Sequence, residues 1–408
     1  MKPNEQFDLG QESTEPKEKV GHTFHNLREL LDHVAGKPLT PSQTGEAGLA
    51  EAIPFPFFAI VGQREMKLAL LLGLINPAIG GILLLGPRGT AKTTAVRSLV
   101  DLLPNVDRSL CHYGCLPEDI ETGGIDAVCQ DCAKKYGEGK PLTAEDRVRL
   151  IEIPLNARLE EVIGGIDERL VEPSDRIRIR RGILAQADRN LLYIDEINLL
   201  GDDIIDSILD ASAQGSYSVR RGPVSATYRA RFVLIGSMNP EEGKLRPQIL
   251  DRFGLRIIVR GLDKQDERLE AYRRVQAYLV NPHNLSALYV NEILSATREI
   301  QSAKILLPQV KIPDKVSKPA INIVQKMGIE SLRAEITWFE AARAYTAADG
   351  RTRVLPEDLR VVAPMALRMR KSLFMKDFIQ SQVVEEEEIR DQLLAMEKRV
   401  PREQSKSK

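Results

Sequence analysis

The chain has 408 residues, 43% of them hydrophobic and 28% charged. At roughly 150 residues per domain that suffices for two or three domains and an ample core. Its formal net charge of -1 gives no nucleic-acid or membrane bias, and its longest apolar run, Leu68 to Ile75, falls far short of the roughly 20 residues of a membrane span. Met1 to Glu5 lack the apolar stretch of a secretory leader, so a cytoplasmic setting is expected. There the four cysteines are expected to be reduced or metal-bound.

Residues 1–50 are rich in Glu, Lys, Ser, Thr and Pro and read as a disordered extension with weak helix at most around Leu27 to Val34. From Phe55 short apolar runs alternate with helical stretches, the pattern of a parallel sheet covered by helices. Five strands are expected, at Ile82–Leu85, Leu150–Ile153, Leu191–Ile194, Phe232–Ile235 and Leu255–Val259. Beyond residue 262 apolar residues recur at helical spacing, as at Val290, Ile293, Leu294 and Ile300, so a second, all-helical domain over 263–400 follows the α/β domain of 51–262. Pro308, Pro313 and Pro319 are expected to keep the segment from Leu306 to Pro319 out of any continuous helix. The acidic run Glu385–Glu388 reads as solvated surface, and 401–408 as a basic tail. No internal repeat is visible.

Chemistry enters directly after the first strand. Gly86, Pro87, Arg88, Gly89, Thr90, Ala91, Lys92 and Thr93, with Thr94 behind them, stand between a strand and a helix, the context of a phosphate-binding loop. Glycines let backbone N–H groups converge on phosphate oxygens, Lys92 neutralises the β and γ phosphates, and Thr93 ligates Mg²⁺. Ala91 departs from the usual pattern, which has a glycine there. The strand Leu191–Ile194 ends in Asp195 and Glu196, two carboxylates at the C-terminal edge of a sheet, where ligands bind. Asp195 suits the hydrated Mg²⁺ and Glu196 the attacking water. ATP and Mg are the cofactors this implies.

Cys111, Cys115, Cys129 and Cys132 fall in one insert, at 108–140, with spacing C-x3-C-x13-C-x2-C. Four thiolates can enclose a tetrahedral structural Zn²⁺, which would stabilise an insert too small for its own core. That reading is favoured; a redox-sensitive dithiol and unligated cysteines stay open. Asp210-Ala211-Ser212-Ala213-Gln214 mimics the Asp-x-Ser-x-Ser metal site of von Willebrand A domains, fails at its last residue, and is read as helix core.

From Phe55 to Arg370 the chain resembles the AAA+ ATPases, and among them the magnesium chelatase ATPase subunit (subunit I) family. The resemblance rests on Ala59-Ile60-Val61-Gly62-Gln63, the phosphate loop, Leu155-Asn156-Ala157, Tyr193-Ile194-Asp195-Glu196, Gly236 to Gly243, and Leu245 to Gly254. It implies a nucleotide-binding domain followed by a helical lid, with Asn239 as sensor 1, Arg252 as an arginine finger acting across a subunit boundary (Arg246 its competitor), and Arg333 as sensor 2. It also implies a β-hairpin before sensor 1, at 216–232, and a second insertion at Glu160 to Arg181. By the same resemblance the chain forms a ring, expected to be a hexamer, and drives Mg insertion into protoporphyrin with a von Willebrand A-domain partner and a large porphyrin-binding subunit. A MoxR-like chaperone for another A-domain protein, which shares alanine at the position of Ala91, is the alternative, with a cobalt chelatase subunit as a nearer variant. A nucleic-acid motor is disfavoured by the near-zero charge.

Overall fold

The computed structural model describes residues 53–165, 180–221, 224–243, 245–371 and 390. The N-terminal extension, the Gly222-Pro223 turn, most of the 160–181 insertion, the acidic run and the basic tail lie outside them. In chain order the described strands are β1 (Ile82–Leu85), β2 (Val106–Ser109), β3 (Thr143–Asp146), β4 (Leu150–Glu152), β5 (Leu191–Ile194), β6 (Ser216–Arg221), β7 (Val224–Arg229), β8 (Val233–Met238) and β9 (Leu255–Ile258). Five of them form a parallel sheet in the order β4-β5-β8-β1-β9, at the positions the apolar runs mark. β8 runs on to Met238 because Gly236 and Ser237 pair in register with Leu83 and Leu84 of β1, so two residues that look like a break continue the ladder.

Parallel strands must be covered on both faces, and the period-2 alternation of side chains divides the core accordingly. Ile82 and Leu84 join Phe58, Leu70, Ile257, Ile300 and Trp338 in one cluster. Leu83 and Leu85 join Ile153, Leu192, Ile194, Ile208 and Phe253 in the other. Burying each such Leu or Ile contributes roughly 2 kcal/mol. The first cluster also takes in the later helices through Ala296, Ile300, Ala334 and Trp338, so the helical part shares its core with one face of the sheet. Its helices include Gln265–Val280, Val290–Leu306, Asp314–Lys326, Arg333–Ala348 and Pro356–Leu367.

Proline breaks this part less than expected. Leu307–Gln309 is a short 3-10 turn, but the next helix begins at Asp314, directly after Pro313, and carries Pro319 inside it. Pro319 is exposed and lies in the second turn, so the lost N–H bond faces water, and the more buried Val324 and Ala320 hold the helix by packing.

β2 and β3 make an antiparallel pair that pairs Ser109 with Thr143 and Val106 with Asp146. They form the stalk of the cysteine insert, whose helices are Pro117–Gly123 and Gln130–Gly137. β6 and β7 form a hairpin with Tyr217 opposite Tyr228.

Candidate functional site

At the C-terminal edge of β1 the chain turns through the phosphate loop into the helix Lys92–Arg97. Gly86 is sterically fixed there, since a Cβ would stand 2.0 Å from the Val259 carbonyl oxygen. Gly89 takes φ +77 with open space beside it, the kind of concavity backbone N–H groups line around an anion. Ala91 caps the helix in the left-handed region, φ 65 and ψ 23, a conformation that costs a non-glycine residue of order 1–2 kcal/mol. The loop therefore keeps the geometry of the glycine it lacks.

The Lys92 ammonium donates to the carbonyls of Gly86 (2.7 Å) and Pro87 (2.8 Å). Burial lowers its pKa, against the partial opposition of Asp195, Glu242 and Glu196. Thr93 Oγ1 donates to Asp195 Oδ2 at 3.1 Å and Tyr193 Oη to Asp195 Oδ1 at 2.9 Å. Ser237 Oγ donates to the same Oδ1 and accepts the Glu196 N–H at 3.2 Å. Burial pushes the Asp195 carboxyl up, but the bonds from Ser237, Tyr193 and Thr93 together outweigh it and hold the group below the usual carboxylate range. Asp195 is thus kept ionised and acceptor-rich, as a hard-cation ligand requires.

Glu196 sits in the left-handed region, φ 49, which turns its side chain off the strand. Arg88 reaches it at 2.9 Å and also pairs with Glu242 at 2.8 Å. Asn239 is buried and donates to Glu242 at 3.0 Å. Lys92, Thr93, Thr94, Asp195, Glu196, Ser237 and Asn239 all line one cavity of about 290 Å³.

Gly89, Thr90, Ala91, Thr93 and Thr94 also border a second chamber of about 1050 Å³, walled by Phe55, Ile60, Val61, Leu262, Val275 and Leu279 among others. Tyr278, on its wall, donates its hydroxyl to the Ile53 carbonyl, and Gln63 donates to the Arg260 carbonyl at 2.6 Å. A small polar chamber at the phosphate loop, continuous with a larger apolar one that has ample room for an aromatic base, suits the two ends of a nucleotide. The sequence reading missed this chamber, Glu242, and the support given by Tyr193 and Ser237. The one available signal was the short polar Gly-Ser inside an otherwise apolar strand.

The two arginines singled out lie elsewhere. Arg252 ends the helix Pro247–Arg252 and pairs with Asp210 at 2.8 Å and Asp206 at 3.7 Å, with 30% of its side chain exposed. Arg246 pairs with Asp202 and Asp206. Arg333 is exposed at the start of the helix Arg333–Ala348. None of the three is among the residues lining either chamber. Asp210, the residue of the false A-domain match, is the carboxylate that holds Arg252, on the helix Asp202–Gln214.

The four cysteines converge. Their Sγ atoms all lie within 4.8 Å of one another, with Cys111 at 3.6 Å from Cys115 and 3.5 Å from Cys129. All four are free of disulfides. The hydrogen bond between the Cys111 and Cys115 sulfurs holds the Cys111 thiol below its ordinary value. His112 is not part of the four-sulfur group, and its Nε2 lies 3.3 Å from the Tyr228 hydroxyl.

A parallel five-stranded sheet with a phosphate loop after β1, an acidic pair after β5, a polar sensor after β8 and a helical lid defines an ATPase of the AAA+ class. Residues 318–392 match the family model of the AAA lid domain, and residues 174–248 that of magnesium chelatase, subunit ChlI. A magnesium-chelatase subunit ChlI homolog of Methanocaldococcus jannaschii is 41% identical over 78% of this chain and 87% of its own length. The magnesium-chelatase 38 kDa subunit of Acidiphilium rubrum is 40% identical over 78% and 90%. A solved structure of the complex between subunits BchI and BchD of magnesium chelatase is similar at 37% identity, with 79% of this chain and 97% of that one covered and a TM-score of 0.44. The chain belongs to the magnesium chelatase subunit I family of AAA+ ATPases. No described helix is long and apolar enough to cross a membrane.

Proposed function

We propose that this chain is the ring-forming motor of a magnesium chelatase, coupling ATP hydrolysis to Mg²⁺ insertion into protoporphyrin IX by a separate porphyrin-binding subunit, with a von Willebrand A-domain protein as intermediary. The observation that carries the reading is the convergence of Lys92, Thr93, Asp195, Glu196 and Asn239 on one cavity in a chain of this family. In it, Gly86 to Thr94 cradle the phosphates, Thr93 and Asp195 hold Mg²⁺, and the bound ion supplies neutralisation of phosphate charge. Glu196 orients a water and accepts its proton, and Asn239 donates its amide toward the γ phosphate or that water. The apolar chamber takes the base.

Arg252 is assigned as the finger and Arg333 as the second sensor. Arg252 stands outside its own chain's chambers, so a finger there needs a neighbouring subunit, and a closed ring, a hexamer in this reading, supplies one at every site. A structural Zn²⁺ on the four thiols belongs to the same proposal. It fits the donor set, since sulfurs around a tetrahedral zinc are spaced by about 3.8 Å.

The test is ATP-dependent Mg²⁺ insertion into protoporphyrin, followed by fluorescence with the two other chelatase subunits supplied and Lys92→Ala as control. Insertion by the wild type and not by the control is expected. ATPase activity without insertion would instead support a chaperone acting on an A-domain protein.

A further inference from the structure

The cysteine insert does not stand free of the motor. It leans on the β6–β7 hairpin, and the leaning surface is the stretch between its first two cysteines. Cys111 and Cys115 enclose His112, Tyr113 and Gly114. Tyr113 stacks on Tyr228 of β7 with ring centroids 5.8 Å apart and planes 28° apart. The His112 ring meets the edge of Tyr228 at 5.7 Å and its Nε2 lies 3.3 Å from the Tyr228 hydroxyl. Gly114, at φ +80, brings its backbone so close that a Cβ would touch Arg229 Cβ at 3.5 Å. One residue beyond the loop's hydrophobic end, at Leu116, the short helix Pro117–Gly123 begins, and its Asp119 pairs with Arg229. Three consecutive residues and one carboxylate thus meet two consecutive residues of the hairpin.

Tyr228 is the anchor on the other side. It is fully buried, faces Tyr217 across the hairpin, and packs with Val219 and Ala185. The hairpin leads through Ala230 into β8, whose end carries Ser237 and then Asn239. What the Tyr113 loop presses on is therefore continuous with the strand that supports Asp195.

Beyond Leu116, buried at the loop's end, the insert's own apolar content does little to hold that loop in place. Its buried core is Cys115, Cys132 and Leu142, with Cys111, Cys129, Ile120 and Val128 half-buried around them, which is too little to stabilise some thirty residues without a staple. The backbone N–H of Tyr113 donates to Cys111 Sγ at 3.3 Å, and that of Cys129 to Cys115 Sγ at 3.4 Å. Donors aimed at sulfur offset thiolate charge and orient metal ligands. Without a cation, four sulfurs this close would repel as thiolates; with one, both ends of the Tyr113 loop are fixed to a single point.

We infer that Zn²⁺ bound by Cys111, Cys115, Cys129 and Cys132 sets the position of the β6–β7 hairpin, by fixing the His112-Tyr113-Gly114 loop against Tyr228 and Arg229. This rests on the zinc assignment made above and adds to it a direct route from metal to motor. Metal occupancy then governs the order of an arginine-bearing hairpin, with Arg220 exposed on it, and the supply of zinc becomes a condition of ring function, distinct from the supply of nucleotide and Mg²⁺.

The experiment uses the full-length chain purified with zinc, with metal content measured by mass spectrometry and amide hydrogen exchange followed by peptide. About one zinc per chain is expected. Zinc removal by a chelator, and Cys129→Ser, should each speed exchange over Ser216–Arg229 about tenfold or more, while the peptide over β1 and the phosphate loop stays protected. Tyr113→Ser should keep its zinc and show the same loosening of the hairpin. A chain that binds no zinc overturns the metal assignment. Full zinc occupancy with a hairpin indifferent to zinc removal and to Tyr113→Ser leaves the metal assignment standing and overturns the coupling.

Discussion

Ser237 makes two contacts that matter more than its size suggests. Its hydroxyl donates to Asp195 and accepts the N–H of Glu196, so one side chain both lowers the affinity of a carboxylate for protons and pins the left-handed turn that aims its neighbour. Ser237→Ala removes a donor from Asp195 while leaving its burial. The direction follows: the carboxyl, now held low by three hydroxyl donors against desolvation, moves up, and protonated carboxylate does not ligate Mg²⁺. Outer-shell partners of metal ligands are worth about 10–100-fold in metal affinity. The Mg²⁺ concentration for half-maximal ATPase should rise by about tenfold or more in Ser237→Ala, and the acid limb of the pH–rate profile should move to higher pH. An unchanged Mg²⁺ requirement would leave Ser237 a packing residue only. Ser237 escaped the sequence reading because a serine at the end of an apolar strand resembles a strand terminus; only the β5–β8 register, in which Ile194 pairs with Gly236, places it beside Asp195.

At the scale of elements, the helix that carries Arg252 is tied to the lid through its penultimate residue. Asp251 accepts from Ser331 Oγ at 2.8 Å and from Arg370 Nη1 at 2.9 Å. Arg370, fully buried at its side chain, also donates to the carbonyls of Gly254 at 3.0 Å, Phe253 at 3.3 Å and Ala366 at 2.6 Å. One guanidinium thus gathers the finger helix, the start of β9 and the last described helix of the lid. Removing it takes from Asp251 its close ion pair, though Ser331 still donates to it, and strips the carbonyls of Phe253 and Gly254 of this donor, so Arg370→Ala should lose about 3–5 kcal/mol in denaturant unfolding. Arg370→Lys should recover little of it, because a point ammonium cannot serve carbonyls in a planar fork. A loss under about 1 kcal/mol for Arg370→Ala would mean that Arg370 is not what holds the lid to the finger helix. This junction also marks where sequence stops being legible. Strand runs, the phosphate loop and the acidic pair are local patterns, each complete within ten residues. The apolar chamber joins Phe55 to Leu279, and the Arg370 knot joins residues more than a hundred positions apart, so neither has a local signature. The stalk β2–β3 was missed for the opposite reason: Val-Asp-Arg-Ser and Thr-Ala-Glu-Asp are too polar and exposed to show a strand period.

For the whole molecule the deciding question is what completes the site. Within one chain Arg252 is engaged by Asp206 and Asp210 and is not among the residues lining the chamber that holds Glu196. If it serves a neighbour, each active centre is built from Glu196 of one subunit and Arg252 of the next, and a defect in either can be answered from the other side of the boundary. Glu196→Gln alone should bind ATP and lose about 10²–10⁴-fold in turnover. Arg252→Ala alone should assemble and lose about 10³-fold or more. Mixed in equal amounts, the two inactive chains form boundaries at random, and about a quarter of them place an intact Glu196 against an intact Arg252 in a heterologous ring. ATPase in the mixture should therefore return to about a quarter of the wild-type rate per site, against a background of neither parent. A finger acting within its own chain predicts no recovery at any ratio, since every site then carries one lesion or the other.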